Sequence, residues 1–135
     1  MPVSITAANV AKGSDAVTRT DIAGATITAG QPVYQAAADS LISPADANAA
    51  VGLSVCVGIA LNGATAGQPI TYQSAGSLTT GHTMTVGEIY VLSATAGGID
   101  AVGSLVTSSY TTILYVATST TVAKMCLFNS SALHG

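Results

Sequence analysis

The chain reads as an all-β domain: a compact sandwich or barrel of short antiparallel strands, with one short helix and an N-terminal arm. Three observations predict this. Short apolar or alternating runs recur at intervals near ten residues and are separated by Gly, Ser, Asn and Thr. That spacing is typical of strands and turns in an all-β domain. Ala, Gly, Ser and Thr supply about half of the 135 residues, which favours tight turns and thin layers over long helices. A Gly-turn motif also recurs ahead of apolar runs, marking where strands begin.

The expected strands, in order, are Val3–Ala7, Val33–Ala37, Leu53–Leu61, Ile70–Gln73, Ile89–Ser93, Thr112–Thr118 and Val122–Phe128. The last two form the clearest unit. Ile113, Tyr115 and Ala117 alternate with Leu114, Val116 and Thr118, and Ser119-Thr120-Thr121 then turns the chain back. Both faces carry apolar residues, so this hairpin is expected to be covered on both sides. Before Val33, the run Ala29-Gly30-Gln31-Pro32-Val33-Tyr34-Gln35 is echoed by Ala66-Gly67-Gln68-Pro69-Ile70-Thr71-Tyr72-Gln73. Val86-Gly87-Glu88-Ile89-Tyr90 is a weaker copy. A Gly turn leads into a Pro that opens a strand, where a missing N–H is tolerated. Ser74-Ala75-Gly76-Ser77-Leu78 adds another turn and a short strand. One helical signal stands out: Ser43 as N-cap, Pro44 at the first helical position and Asp46 in the first turn. It predicts one or two turns over Ala45–Ala50, ended by Gly52.

Residues 1–22 are read as an N-terminal arm or edge strand and 23–135 as a single β domain. The arm gathers charge in Lys12, Asp15, Arg19 and Asp21, either as a solvated loop or as a segment that docks a partner.

Charge excludes several function classes. Lys12, Arg19 and Lys124 are the whole basic complement, the net charge is -3, and charged residues are 7% of the chain. Ordinary domains carry about 25%. No stretch has the cationic density that displaces counterions from phosphates, so nucleic-acid partners are not expected. No apolar run approaches the roughly 18 residues a membrane helix needs, so a membrane partner is not expected either. Met1-Pro2-Val3-Ser4 lacks the basic and apolar regions of an export signal. From Ala47 to Gly87 there is no charged residue at all. A chain so poor in charge is expected to hide surface against other subunits in a homo-oligomer.

Candidate chemistry is sparse. His82 reads as a solvated loop residue and His134 as part of a frayed tail, with no nucleophile paired to either. Cys56 and Cys126, in apolar contexts, read as two buried thiols, with a disulfide or a metal site as alternatives. Activation of Cys56 by a distant His is disfavoured by its strand-interior context. Asp15, Asp21, Asp39, Asp46, Asp100 and Glu88 are scattered. No calcium loop, zinc spacing or phosphate-binding Gly-Lys-Ser/Thr is present. Tyr34, Tyr72, Tyr90, Tyr110 and Tyr115 read as core or interface residues. No catalytic, cofactor-binding or metal-ligating residue is therefore assigned.

At Val57-Gly58-Ile59-Ala60-Leu61-Asn62, followed by Ala64-Thr65-Ala66-Gly67-Gln68-Pro69-Ile70, the chain resembles small virion proteins of tailed bacteriophages, of the head decoration or capsid cement type. Val86 to Ser93 and Gly98-Ile99-Asp100-Ala101-Val102 share that texture, and the resemblance covers roughly residues 27–128. It implies an all-β protein, often trimeric, that binds the major capsid protein on the outside of an assembled shell and braces it. Such a protein would be made in the host cytoplasm and reside on the virion exterior. The family pattern names no functional residue to carry over. A host- or glycan-binding module on a tail or head fibre is the competing reading. It is weakened by the absence of Trp and by an aromatic content of only 4%. An enzyme has no supporting constellation.

Overall fold

The structure, a computed structural model, describes residues 5–35, 40–45, 56–92, 98–101 and 110–133. Among these the regular structure is all strand, 53% of the residues, apart from one 3-10 turn at Ala7–Asn9. The strands are β1 (Ala11–Lys12), β2 (Val17–Ile22), β3 (Pro32–Gln35), β4 (Ile42–Pro44), β5 (Gly58–Ala60) and β6 (Pro69–Ala75). They continue with β7 (Ser77–Thr79), β8 (Ile89–Leu92), β9 (Ile99–Ala101), β10 (Tyr110–Ala117) and β11 (Val122–Leu133). Two antiparallel sheets form a sandwich: one in the order β1-β7-β11-β10-β8-β9, the other β2-β6-β5-β3-β4.

The expected hairpin is β10–β11. Ser119 Oγ accepts from Val122 N at 3.0 Å and Thr118 N donates to Val122 O at 3.0 Å, which closes the turn. A register shift between Ile113 and Tyr115 breaks strict alternation, so Leu114 and Tyr115 are both buried while Ile113 and Val116 are half-buried. Leu114 and Tyr115 join Ile59 and Cys56 in the larger core cluster. A smaller cluster of Ala23, Ile27, Val33, Ile42, Ala60, Ala64, Ile70 and Tyr72 belongs to the five-stranded sheet alone. That sheet curls until β4 meets the chain just beyond β2, through a parallel Ala23–Ile42 bridge and a Gly24 N–H to Ile42 O bond of 2.7 Å.

The repeated motif is a turn used three times, and it begins one residue earlier than its Ala. Gln31 N donates to Thr28 O, Gln68 N to Thr65 O and Glu88 N to Thr85 O. The third residue of each turn is glycine at positive φ: Gly30, Gly67 and Gly87. That geometry admits almost no other residue. In the first two copies the Gln side chain also accepts from the Thr N–H, at 3.0 and 2.9 Å. Pro32 and Pro69 then open β3 and β6, as the motif predicts. Ile27 and Ala64, just ahead of the two turns, exchange both backbone hydrogen bonds, so the copies sit against each other.

Three expectations are corrected. In Val3–Ala7 the described residues Ile5 and Thr6 are not strand, and Ala7 opens the 3-10 turn. Ile5 and Val10 instead pack on the larger core cluster from either side of that turn. Ser43 and Pro44 are not a helix start: both lie in β4, paired with Tyr34 and Val33. Pairing with β3 overrides the local capping signal, and Pro44 is tolerated because β4 ends the sheet's strand order. Residues 46–50 lie outside the described set. Of the strand expected over Leu53–Leu61, residues 53–55 lie outside the described set, and within 56–61 the strand is Gly58–Ala60. Asn62 ends its pairing with β6, its Oδ1 accepting from Thr71 N at 2.7 Å and its Nδ2 donating to Pro69 O at 3.3 Å.

Ile59 is 1% exposed and sits where the two sheets meet. Replacing it with Asp buries an unpaired charge at a cost of several kcal/mol. Ile59→Asp is expected to abolish the cooperative thermal transition followed by circular dichroism. Val116→Asp, at a half-buried position, is expected to leave a folded protein with a lower Tm.

Candidate functional site

The charged N-terminal segment occupies the outer strand of each sheet. β1 pairs with β7 at one edge of the six-stranded sheet, and β2 pairs with β6 at one edge of the five-stranded sheet. Between them the chain rounds the corner where β6 passes through Gly76 into β7. Asp15 holds that corner. Its Oδ1 accepts from Ser77 N at 2.8 Å, and its Oδ2 lies 3.4 Å from Lys124 Nζ. The Ser77 N–H, with smaller help from Lys124, keeps the Asp15 carboxyl below its ordinary range.

Every residue of β2 is exposed except Asp21, which is half-buried, and Val17 and Ile22 are 53% and 43% exposed. Two contacts between side chains help tie the strand to β6. Thr20 and Thr71 hydroxyls meet at 2.9 Å, and Tyr72 OH donates to Asp21 Oδ2 at 2.7 Å. Burial, then the acceptor carboxylate, pushes the Tyr72 hydroxyl up to about 12. No apolar alternation announces β2, since Thr18, Arg19, Thr20 and Asp21 are polar on both faces. Its only sequence signal was the clustering of charge.

A second region forms around His82, and here the loop reading is corrected. His82 is 7% exposed. Gly81, at positive φ, lets the loop turn inward, and a Cβ there would collide with Thr6 O and Val10. The ring packs against Tyr90 and Tyr115, with centroids 5.2 and 6.1 Å away. Nδ1 lies 3.3 Å from Thr83 O, which can only accept, so Nδ1 carries the proton of the neutral ring. Nε2 then accepts from Tyr115 OH at 2.9 Å. Burial holds the His82 pKa below its ordinary value, opposed by the Thr83 carbonyl. The ring borders a pocket of about 500 Å³ whose walls include Thr6, Asn9, Thr83 and Thr121, all neutral. Such a lining offers hydrogen bonds without charge, and both ring nitrogens are already engaged.

The thiols differ from each other. Cys56 is buried, donates to Gly58 O at 3.2 Å and is pushed up to about 12 by burial. Cys126 is exposed, which corrects the expectation of two buried thiols. It lies in β11, where alternate residues face outward. Among the described residues neither is in a disulfide. Tyr72, Tyr90 and Tyr115 are buried and Tyr34 is half-buried. Asp100 is buried in β9. Among the described residues no three His, Cys, Asp or Glu side chains gather as a metal site requires. His134, Asp39 and Asp46 lie outside the described residues. In comparison with known proteins, no family model matches the chain and no curated protein matches it.

A buried neutral histidine makes stability depend on pH. In the unfolded chain the ring binds its proton near pH 6.5, and in the folded chain only at lower pH. The stabilisation is therefore complete above about pH 7 and declines as pH falls through 6.5, by up to roughly 1.4 kcal/mol per pH unit. The Tm of the wild type is expected to drop between pH 7.5 and 5.5, and His82→Gln should flatten that drop. Thiol titration with an aromatic disulfide reagent is expected to find one fast-reacting cysteine, Cys126, in the folded protein and two in denaturant.

Proposed function

We propose that the protein is a bacteriophage structural protein of the decoration or cement type. In this reading it binds the major capsid protein on the outside of an assembled shell and stiffens it as a homotrimer. The observation that carries the reading is the placement of residues 5–22. They form an exposed strip along the outer strands of both sheets and around the corner that joins them, and this strip holds Lys12, Asp15, Arg19 and Asp21. Elsewhere among the described residues the exposed positions are mostly small or hydroxyl-bearing, so this strip is where a partner would find most directional contacts. A free arm is not needed, because β1 and β2 already complete the protein's own sheets. Ala7, Ala8, Asn9 and Lys12, all exposed, offer a shell-facing patch beside Ile5 and Val10, which anchor it to the core. Many weak copies hold firmly when each oligomer engages several shell subunits at once.

The experiment is co-sedimentation with assembled phage heads that lack the protein. Wild-type protein is expected to pellet with the heads and to raise their resistance to heat. The triple variant Ala7→Glu, Ala8→Glu, Lys12→Glu is expected to lose binding while keeping its Tm. Unchanged binding by that variant would exclude the patch. Binding to whole bacteria or isolated glycans, and not to heads, would replace the reading with a host-binding module, for which the neutral pocket beside His82 is the natural site.

A further inference from the structure

The outer edge of β2 has no strand beside it among the described residues, and its usable length is set at both ends. A register shift between Val17 and Thr18 interrupts the strand at its start. Beyond Ile22, the bridge from Ala23 to Ile42 and the bond from Gly24 N to Ile42 O bring β4 alongside. The regular open stretch is therefore Thr18–Ile22, five residues with Thr20 at the centre. An open edge of this kind is a template for another strand.

The charges around that centre are self-complementary. Arg19 and Asp21 lie one residue to either side of Thr20, on the same face, with opposite signs. Asp21 Oδ2 is held by Tyr72 OH at 2.7 Å, which fixes the carboxylate and leaves Oδ1 able to accept more. We propose that the occupant of this edge is the same strand of a second copy, antiparallel, about a two-fold axis through Thr20. Arg19 then stands opposite Asp21 of the partner subunit, and Asp21 opposite Arg19 of the partner subunit. Thr18 faces Ile22 of the partner subunit, and the two Thr20 side chains face each other. No other register does this. A slip of one residue puts Arg19 against Thr20 or Ile22, and parallel in-register pairing puts Arg19 against Arg19. Exposed ion pairs add little affinity, so these charges choose the register while the backbone supplies the contact.

A five-residue strand pair buries far less than the roughly 1,200 Å² of a stable interface, so association in dilute solution is weak. It becomes effective where copies are crowded on a common surface. The contact is isologous, so a closed trimer cannot use it internally, and it joins subunits of neighbouring assemblies. The proposal rests on the shell-binding reading only for this setting.

The test uses cysteine cross-linking in a Cys126→Ser background, which removes the exposed native thiol. After mild oxidation at high protein concentration, Thr20→Cys is expected to form a covalent dimer. Thr18→Cys alone should not, whereas Thr18→Cys mixed with Ile22→Cys should. Arg19→Asp or Asp21→Arg is expected to lower the Thr20→Cys yield by about tenfold, and the double reversal to restore it. Each variant is first shown to melt cooperatively. Absence of the Thr20→Cys dimer at millimolar protein, or failure of the double reversal to restore it, would overturn the proposal. Were the edge instead taken by a shell strand, wild-type binding to heads would be lost in the double reversal and Thr20→Cys would not pair with itself. A protein that cross-links as described but does not pellet with heads keeps the self-pairing and loses the shell reading.

Discussion

The placement of β1 and β2 depends on one corner, where the chain leaves β6 of one sheet and enters β7 of the other. Gly76 makes the turn at φ 92°, a backbone region that L side chains rarely adopt. A Cβ there would also collide with the Asp15 carbonyl. The buried Gln73 side chain spans the corner from inside, its Nε2 donating to Ala75 O at 3.0 Å and Ser77 O at 2.7 Å. From outside, Gly13 N donates to Ser77 O at 2.8 Å and the Asp15 carboxylate accepts from Ser77 N. Met125 N closes the arrangement on Gly76 O at 2.9 Å, tying β11 to the same point. With the corner held, β1 and β2 have only one place to go. Each extends the sheet on its own side, and the Lys12–Asp21 charges come to the edges.

The corner also explains how a chain with so few large side chains keeps two sheets together. Separate clusters fill the interface between the sheets and the curl of the five-stranded sheet. Neither cluster is large, and both are built largely from Ala, Ile, Val and Leu with a few tyrosines. Small residues let the layers approach, and the Thr-x-Gly-Gln/Glu turns return the chain into the sheet with their N–H groups satisfied. Backbone geometry thus does much of the specifying that side-chain volume does in richer cores.

Much of this was legible in the sequence. The β10–β11 alternation with its Ser-Thr-Thr turn, and the paired Gly-Gln-Pro motifs ahead of β3 and β6, are local signals that tertiary structure leaves intact. What escaped reading depends on contacts distant in sequence. β2 shows no alternation because its strand hangs at an edge where both faces stay wet. Ser43-Pro44 carries a sound helix-start signal that pairing with Tyr34 and Val33 overrides. His82 sits between Gly81 and Thr83 like any turn residue, and only the fold brings Tyr115 and Tyr90 to its ring. Cys126 shares its apolar sequence context with buried strands, but the side of β11 it faces is set by register, and a one-residue shift would reverse it.

In a protein with 7% charged residues, the placement of each charge carries unusual weight. A surface of alanine, glycine, serine and threonine can be covered by almost any flat neighbour, and it discriminates poorly between registers. Backbone edges are directional but repeat every two residues, so they do not choose a register either. A few charges added to an edge supply what both lack, because a misplaced like-charge pair is repelled where a matched pair is merely tolerated. Asp15 shows this within the chain, holding Ser77 while reaching Lys124 of β11 across the corner. Asp21 shows it again, meeting Tyr72 diagonally across the β2–β6 ladder. Arg19 is the basic member of β2 and stands two residues from Asp21 on the same face. The pattern that sets register inside the fold continues to its outer edge, where the same logic acts on whatever strand arrives.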